Sequence, residues 1–372
     1  MADRKEPPAK PICLIIPSLS TGGMERVMSE LANYLASKSN VIVHLVLYGI
    51  KRDIFYTIKN NVVIHTPPFE FNNRYRIISA IQTMLFLRKK VKETDPSTIL
   101  SFGEYWNSFV LLSLYGLKIP IFISDRCQPN KKFGRIHDAL RKWLYPLASG
   151  IIAQTEKARQ IYQKEFPKSK IQTIGNPIRR ITPNDTIKKE NIILTVGRLI
   201  KTKNHDKLIE TFARINEPKW KLIIVGGDAQ KQNNMVRLKQ LVQKLGLQNR
   251  VIFTGNTHDV ETYYLKSKIF AFTSSSEGFP NVIGEALSAG LPVIAFDCIA
   301  GPAEMVIDNK NGYLIPPDDY KRFEEELKRL MEDENLRNQF GTMGRKTIQK
   351  FNINSIGEKY YNILVGNEDT PN

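Results

Sequence analysis

Cysteine is scarce in this chain of 372 residues: there are three, Cys13, Cys127 and Cys298, far apart in sequence. No C-x-x-C pair or metal-ligand spacing occurs, which excludes a disulfide scaffold and a zinc ribbon. The three read as small buried hydrophobes in a reducing compartment. Long hydrophobic runs are also missing. Stretches such as Ile12–Pro17 and Ile119–Ile123 are strand-sized, far short of the ~20 apolar residues that a spanning helix needs. The opening MADRKEPPAK is polar and leads directly into a strand, unlike a signal peptide, so the expected location is the cytoplasm. No G-x-G-x-x-G occurs, which disfavours a dinucleotide-binding dehydrogenase. Acidic charge is in deficit, with 37 Asp+Glu against 54 Lys+Arg and a formal net charge of +17. A balance so basic calls for an acidic partner: nucleic acid, an anionic membrane or a phosphorylated small molecule.

The charge is uneven. Residues 1–176 hold 26 basic against 13 acidic residues, a net of +13, whereas the remainder holds 28 against 24, a net of +4. Such asymmetry points to different tasks for the two halves.

The first half opens with the apolar run Ile12–Ile16, the loop PSLSTGG and a helical pattern in which Val27, Leu31, Tyr34 and Leu35 share a face. Strand-like runs follow at Val41–Leu47, Val62–His65, Ile99–Phe102, Ile119–Ser124 and Gly150–Gln154. The second half repeats this grammar, with strands expected at Asn191–Val196, Trp220–Val225, Val251–Thr254, Ile269–Thr273, Pro292–Phe296 and Gly312–Ile315, and helices between them. Alternation of this kind builds open parallel sheets. GNPIRRITPNDTIKKE, with two prolines and few large apolar residues, is the linker. The expected fold is therefore α/β, two doubly wound Rossmann-like domains facing across a cleft. The boundaries are 1–176, a linker 177–190 and 191–352, with a C-terminal helix over 353–367 packing back on the first domain. Ligands of such sheets sit at the carboxyl ends of the strands.

Three segments carry chemistry. SSSEGFPNVIGEALSA, residues 274–289, follows a strand and opens a helix near Pro280 and Asn281. Proline fits a first turn, where its missing N–H costs nothing. The amides of Asn281, Val282 and Ile283 would then form an anion site at the positive end of the helix. Glu277 and Glu285 flank that helix start, eight residues apart; N-capping and a solvated charge are the plainer alternative. Gly197 and Arg198 follow a strand directly, with Lys203 five residues further on. A planar fork beside a point charge suits a ligand with two phosphates. Finally, Gly22 and Gly23 precede Glu25 and Arg26 after the first strand, and glycines there let a ligand approach the backbone closely.

These segments, in this order, resemble the retaining glycosyltransferases of family four. TGGMERV, VGRLIKTKN, EGFPNVIGEALSAGLPVIAFD and PAEMVIDNKNGYLIPPDD carry the resemblance, which covers nearly the whole chain. It implies the GT-B fold and a retaining hexosyl- or N-acetylhexosaminyltransferase of bacterial envelope or capsular polysaccharide assembly. The donor would be a nucleotide-diphosphate sugar, most commonly UDP-linked in the family, and the acceptor a glycan carried on a polyprenyl diphosphate. By the same resemblance Glu277 touches sugar hydroxyls and Glu285 the ribose. Arg198 and Lys203 hold the diphosphate, the backbone of Gly278, Phe279, Pro280, Asn281 and Val282 lines sugar and phosphates, and Gly22 and Gly23 meet the ligand from across the cleft. Relatives often carry a histidine where this chain has Asp125 and Arg126, within ISDRCQPN. Either residue could touch sugar or acceptor, or the two could form a strand-end ion pair. Glu104, at another strand end, is a candidate for positioning the acceptor hydroxyl.

Breaking a sugar–diphosphate bond places negative charge on the leaving group, where Arg198, Lys203 and the helix terminus would supply fixed positive potential. The chain has no D-x-D pair followed by a His-rich site, so metal-free chemistry without a cofactor is expected. The resemblance implies front-face attack, with the leaving phosphate taking the acceptor's proton.

The excess positive charge has a second outlet. Arg74–Lys92 combines Ile77, Ile78, Ile81, Met84 and Leu85 with basic ends, and Lys131–Tyr145 interleaves Phe133, Ile136, Leu140, Trp143 and Leu144 with Lys131, Lys132, Arg135, Arg141 and Lys142. Helices of this kind lie on anionic lipid, or their apolar stripes pack on the sheet. The expected protein is therefore peripheral on the inner face of the cytoplasmic membrane. Other classes are weaker. A GT-B epimerase lacks the G-G-x-E-R segment and the glutamate pair, and a nucleic-acid binder would show a basic recognition helix with stacking aromatics, so no nucleic-acid partner is expected.

Overall fold

The computed structural model describes residues 9–50, 53–184, 186–229 and 232–366. The first eight residues of the polar opening, Asp185 of the linker and Asn367 at the end of the expected C-terminal helix lie outside the described residues. The chain divides into two compact units, Met1–Pro177 with Ile353–Asn372, and Ile178–Asn352.

In the first unit the described elements run β1 (Lys10–Ile16), α1 (Gly23–Leu35), β2 (Val41–Leu47), β3 (Val62–His65), α2 (Arg76–Thr94), β4 (Thr98–Phe102) and α3 (Glu104–Ser113). They continue with β5 (Ile121–Ser124), α4 (Arg135–Leu144), β6 (Gly150–Ala153), α5 (Glu156–Glu165) and β7 (Ile171–Thr173). The seven strands are parallel in the order β3-β2-β1-β4-β5-β6-β7. The order reverses between β1 and β4, so the carboxyl ends of these two strands bound the topological switch point. Ile12, Cys13, Leu14, Ile15 and Ile16 are all fully buried, as a central strand covered on both faces requires. One face packs Ile15, Val46, Phe86, Leu87, Val91 and Ile123 into a single core.

The second unit runs β8 (Ile192–Val196), α6 (His205–Ile215), β9 (Lys221–Val225), α7 (Asn234–Lys244), β10 (Val251–Gly255), α8 (Val260–Lys266), β11 (Ile269–Phe272) and α9 (Asn281–Ser288). It closes with β12 (Val293–Phe296), α10 (Pro302–Met305), β13 (Gly312–Ile315), α11 (Tyr320–Glu332) and α12 (Glu334–Thr347). Its six parallel strands are ordered β10-β9-β8-β11-β12-β13, which places the switch point at the ends of β8 and β11. Helix α11 buries Phe323, Leu327, Leu330 and Met331. Each such side chain contributes about 1.5–3 kcal/mol, enough to hold the helix against the sheet with its charged face outward.

The last helix, α13 (Ile353–Leu364), belongs to the first unit. It buries Ile356, Gly357, Tyr360 and Leu364. A side chain at Gly357 would collide with the Tyr34 ring. The Tyr34 hydroxyl and the Lys38 ammonium both donate to Glu358, at 2.7 and 2.8 Å. No helix among the described residues is long and apolar enough to cross a membrane.

Most strands lie within a residue or two of the expected ones; β7 and α12 were not anticipated. The expected basic helix over Lys131–Tyr145 is shorter. Gly134, with φ +100°, precedes α4, so Lys131 and Lys132 sit in the loop before it.

Candidate functional site

In the second unit, the loops after β8 and β11 are fastened together at the switch point. The Thr273 hydroxyl donates to the Lys203 carbonyl at 2.9 Å, Asn204 Nδ2 to the Thr273 carbonyl at 3.0 Å, and the Ser275 amide to the Thr202 carbonyl at 2.8 Å. This clasp sets the turn carrying Lys203 against the loop carrying Glu277. Lys203 Nζ donates to Glu277 Oε1 at 2.6 Å, and Ser274 Oγ donates to the same oxygen at 2.6 Å. The two charged side chains are only 16% and 14% exposed, so their attraction is poorly screened. The Lys203 stem passes over Gly197, with its Cε 3.3 Å from where a Cβ would stand; glycine is what lets the lysine lie there. Arg198 is exposed, and no ion pair or hydrogen bond holds its side chain among the described residues. Burial, then the neighbouring Glu277, push the Cys298 thiol up to about 12, so this cysteine stays protonated and inert.

The start of α9 departs from expectation. Of the three amides read as an anion site, that of Asn281 donates to the Phe279 carbonyl and that of Ile283 to the Pro280 carbonyl, both at 3.0 Å. Phe279 is buried with its ring 5.5 Å from that of Phe351, so only its backbone is available to a ligand. Gly278 is also buried, while Val282 is partly exposed. Gly301 holds φ +109°, and a Cβ there would strike the Pro280 ring; the loop after β12 thus closes over the helix start. Glu285 is buried within α9, and its Oε2 accepts from the Tyr264 hydroxyl at 3.0 Å.

In the first unit, Gly22 is extended and pinned by Tyr56. Its amide donates to the tyrosine oxygen at 3.1 Å, and the hydroxyl donates back to the Gly22 carbonyl at 2.8 Å. A side chain on Gly22 would collide with the Glu25 carboxylate. Gly23 begins α1.

Asp125 needs correction, because it is buried and not displayed for a ligand, whereas Arg126 is partly exposed. Asp125 is buried and receives Asn107 Nδ2 at 2.9 Å, the Tyr145 hydroxyl at 2.6 Å and Arg141 at 2.8 Å. Burial and then this carboxylate push the Tyr145 hydroxyl well above its ordinary value, keeping it a donor. Arg126 stacks on Phe102, 3.3 Å from the ring centroid. It donates to Asn176 Oδ1 at 2.6 Å and to the Tyr360 hydroxyl at 3.1 Å. It is a clamp on α13. Glu104 begins α3 partly exposed, its Oε2 accepting the Arg126 amide at 3.3 Å.

Arg141 is the second correction. Expected on a membrane-facing surface, it is 3% exposed and locked to Asp125. Lys131, Lys132, Arg135 and Lys142 are exposed, and Trp143 is 55% exposed with its ring 6.3 Å from that of Tyr115. In α2 the expected apolar stripe faces outward: Ile77, Ile78, Ile81 and Leu85 are 51–79% exposed, while Ser79, Thr83, Phe86, Leu87 and Val91 are buried.

Sequence reasoning missed Ser274 and Tyr264, the partners of Glu277 and Glu285. Ser274 stands three residues before its glutamate and was within reach of a local search. Tyr264, on a different helix from Glu285, gave no signal in spacing.

Comparison with known proteins places this arrangement. Residues 179–347 match the family Glycosyl transferases group 1, and residues 21–180 match Glycosyltransferase Family 4. The two matches lie end to end over both units, and the chain belongs to these glycosyltransferases. It is 28% identical over 363 residues, covering 95% of this chain and 98% of the relative, to a GalNAc-α-(1→4)-GalNAc-α-(1→3)-diNAcBac-PP-undecaprenol α-1,4-N-acetyl-D-galactosaminyltransferase of Campylobacter jejuni. It is 27% identical, with coverage of 95% and 99%, to the amylovoran biosynthesis glycosyltransferase AmsD of Erwinia amylovora. Among solved structures, a S. aureus TarM variant bound to fondaparinux, α-GlcNAc-glycerol and UDP superposes with a TM-score of 0.80 at 16% identity, covering 96% of this chain and all of that one. The fold is GT-B, and the protein is a glycosyltransferase.

Proposed function

We propose that the protein transfers a hexosyl or N-acetylhexosaminyl group from a UDP-sugar to a polyprenyl-diphosphate-linked glycan, with retention of anomeric configuration. The observation that carries the donor half is the set at the switch point of the second unit: unpaired Arg198 beside the Lys203–Glu277 pair, with Glu285 one helix turn and more beyond. In this reading Arg198 and Lys203 take the diphosphate, Glu277 the sugar hydroxyls and Glu285 the ribose. The backbone from Gly278 to Val282 forms the wall. As the sugar–oxygen bond breaks, its electron pair goes to the β-phosphate, whose charge the two cations stabilise. The acceptor oxygen bonds to the anomeric carbon on the same face and passes its proton to the departing phosphate oxygen. No metal ion or separate base is required.

The undecaprenol-linked acceptor named for the C. jejuni relative and the basic first unit support the acceptor half. Ile77, Ile81 and Leu85 on α2 are large, exposed and apolar, as are Ile136 and Trp143 on α4, and α4 with the loop before it also carries the exposed cations Lys131, Lys132, Arg135 and Lys142. A patch of this composition fits an anionic lipid surface, and the proposed location is peripheral at the inner membrane face. Glu104 is the proposed aid to acceptor positioning.

A thermal-shift panel of UDP- and GDP-sugars, followed by labelled-sugar transfer to lipid extract and NMR of the new linkage, tests the proposal. Stabilisation by a UDP-sugar and a product with the donor's anomeric configuration are expected. No stabilisation by any nucleotide sugar, or an inverted product, would overturn it.

A further inference from the structure

At the end of the second sheet opposite the donor residues, a cavity of about 250 Å³ is lined by Lys189, Lys268, Gly290, Glu334, Arg337 and Asn338, together with Pro292. Lys268 and Pro292 immediately precede β11 and β12, whereas Arg198 and Glu277 follow β8 and β11, so the two places are separated by the length of the strands.

The cations here are held in position by neutral acceptors. Lys268 Nζ donates to Asn191 Oδ1 at 2.8 Å. Arg337, 8% exposed, donates from Nη1 to the carbonyls of Leu330 and Met331 at 2.7 and 3.0 Å. Arg345 donates to the Ala289 carbonyl at 3.1 Å and lies against Gly290, where its guanidinium would collide with any Cβ. Carbonyls and amides orient a cation without cancelling its charge. The carboxylates do little more. Glu334 reaches Arg337 only at 3.8 Å and is 73% exposed, and Asp333 is occupied in capping α12 through the Leu336 amide. Lys189 has no acidic partner among the described residues. Its side chain is exposed, and the charges acting on it are the cations Arg345, Lys268 and Arg337. Three cations line this recess, with Arg345 beside Gly290 and only Glu334 and Asp333 as acidic neighbours, an arrangement that an anion completes.

We infer that this cavity is a binding site for a small, soluble, phosphate-bearing anion of two or more negative charges, separate from the donor site. The volume admits roughly eight waters, below the usual range of drug-sized pockets, which suits a diphosphate or a compact sugar phosphate. Arg337 supplies a planar fork and the two lysines point charges. Helix α9 starts at Asn281 beside the donor residues and ends at Ser288, two residues before Gly290 in the cavity wall, so an occupant would lie just beyond the far end of the helix that carries Glu285.

Calorimetric titration of the full chain with inorganic diphosphate, at about 0.15 M salt where unspecific attraction is screened, tests this. Binding is expected in the wild-type protein, in Arg198→Ala, and in the charge-matched control Lys131→Gln with Lys132→Gln. The double variant Lys189→Gln with Lys268→Gln should bind at least tenfold more weakly. Absence of binding to the wild-type protein overturns the inference. So does loss in Arg198→Ala with retention in the Lys189/Lys268 variant, which would put the anion in the donor site, and so does equal loss in the control, which would make it unspecific.

Discussion

Lys203 Nζ lies 2.6 Å from Glu277 Oε1, so the cation assigned to the diphosphate and the carboxylate assigned to the sugar hold each other before any ligand arrives. Both are largely shielded from water, and Ser274 donates to the same carboxylate oxygen. A donor's phosphate would compete with Glu277 for Lys203, and its sugar hydroxyls would repay the carboxylate. Neutralising Glu277 should then release Lys203 for phosphate. Glu277→Gln is expected to hold or tighten UDP affinity while sugar transfer collapses, whereas Glu285→Gln, which disturbs the buried contact with Tyr264, should weaken UDP itself. Calorimetry and turnover on the two variants check this; equal losses of UDP binding would show the roles to be misassigned.

Arg198 differs from Lys203 in being unpaired and exposed. Its truncation costs the free protein little, so its effect should fall on binding. Arg198→Ala is expected to lower UDP affinity at least tenfold, about 1.4 kcal/mol, with an unchanged melting temperature. Unaltered affinity in the double variant Arg198→Ala with Lys203→Ala would remove both from the donor site.

Asp125 illustrates what the chain conceals. Its pairing with Arg141, sixteen residues away, depends on how α4 is rotated, which spacing alone does not reveal. Removing the carboxylate leaves a guanidinium that is 3% exposed with only Glu165, at 3.9 Å, as a counter-charge, and breaking such a buried pair typically costs about 3–5 kcal/mol. Asp125→Ala should therefore lower the melting temperature of the first unit sharply and leave UDP affinity intact. Asp125→Ala combined with Arg141→Met should recover part of the loss. A stable Asp125→Ala variant with failed transfer would return this residue to the chemistry.

The legible parts of the fold share a cause. Strands such as β1, β8 and β11 are buried on both faces, so they read as continuous apolar runs, and the Gly278–Pro280 turn announces α9 by its own backbone chemistry. Helix α2 misleads for an equally physical reason. Its buried face contains Ser79 and Thr83, whose hydroxyls are satisfied locally, Thr83 Oγ1 donating to the Ser79 carbonyl at 2.7 Å and Ser79 Oγ accepting the Asn72 amide at 3.0 Å, while its isoleucines face outward. Counting apolar residues finds the wrong side. The Tyr264–Glu285 contact and the cation cavity join separate elements and leave no local pattern at all.

His205, at the first turn of α6, is buried, and burial followed by the charge of Lys203 pushes its pKa down to about 4; the Arg198 backbone and Asp206 act weakly the other way. Unfolded, the imidazole titrates near its ordinary 6.5. Between these values the unfolded chain binds a proton that the folded one refuses. Stability from this group is therefore full above about pH 6.5 and is lost as the pH falls toward 4, by roughly 3 kcal/mol. Unfolding midpoints measured from pH 7 to 4 should show a shallower acid limb in His205→Gln than in the parent. Superimposable slopes would mean that the histidine titrates normally.

The outward isoleucines of α2 and the exposed Trp143 bear on where the enzyme works. A core-facing tryptophan would cost stability when removed; one at 55% exposure should cost little, and its loss should be felt at a surface. Trp143→Ser is therefore expected to melt close to the parent protein and to float less with vesicles containing anionic lipid. Replacing Lys131, Lys132, Arg135 and Lys142 by Gln should reduce flotation further, at about 1 kcal/mol for each cation near the surface. Arg141 is left out of that set, since its change would unfold the Asp125 cluster and confuse the result. Ile81→Ser with Leu85→Ser should act like Trp143→Ser if α2 and α4 share one face toward lipid. Salt should release the parent protein, because attraction between exposed charges is screened over roughly 10 Å at ~0.1 M. UDP affinity should be untouched throughout, as the cations proposed to hold it lie in the other unit. A parent protein that ignores anionic vesicles at low salt would end the membrane assignment and leave the donor site standing.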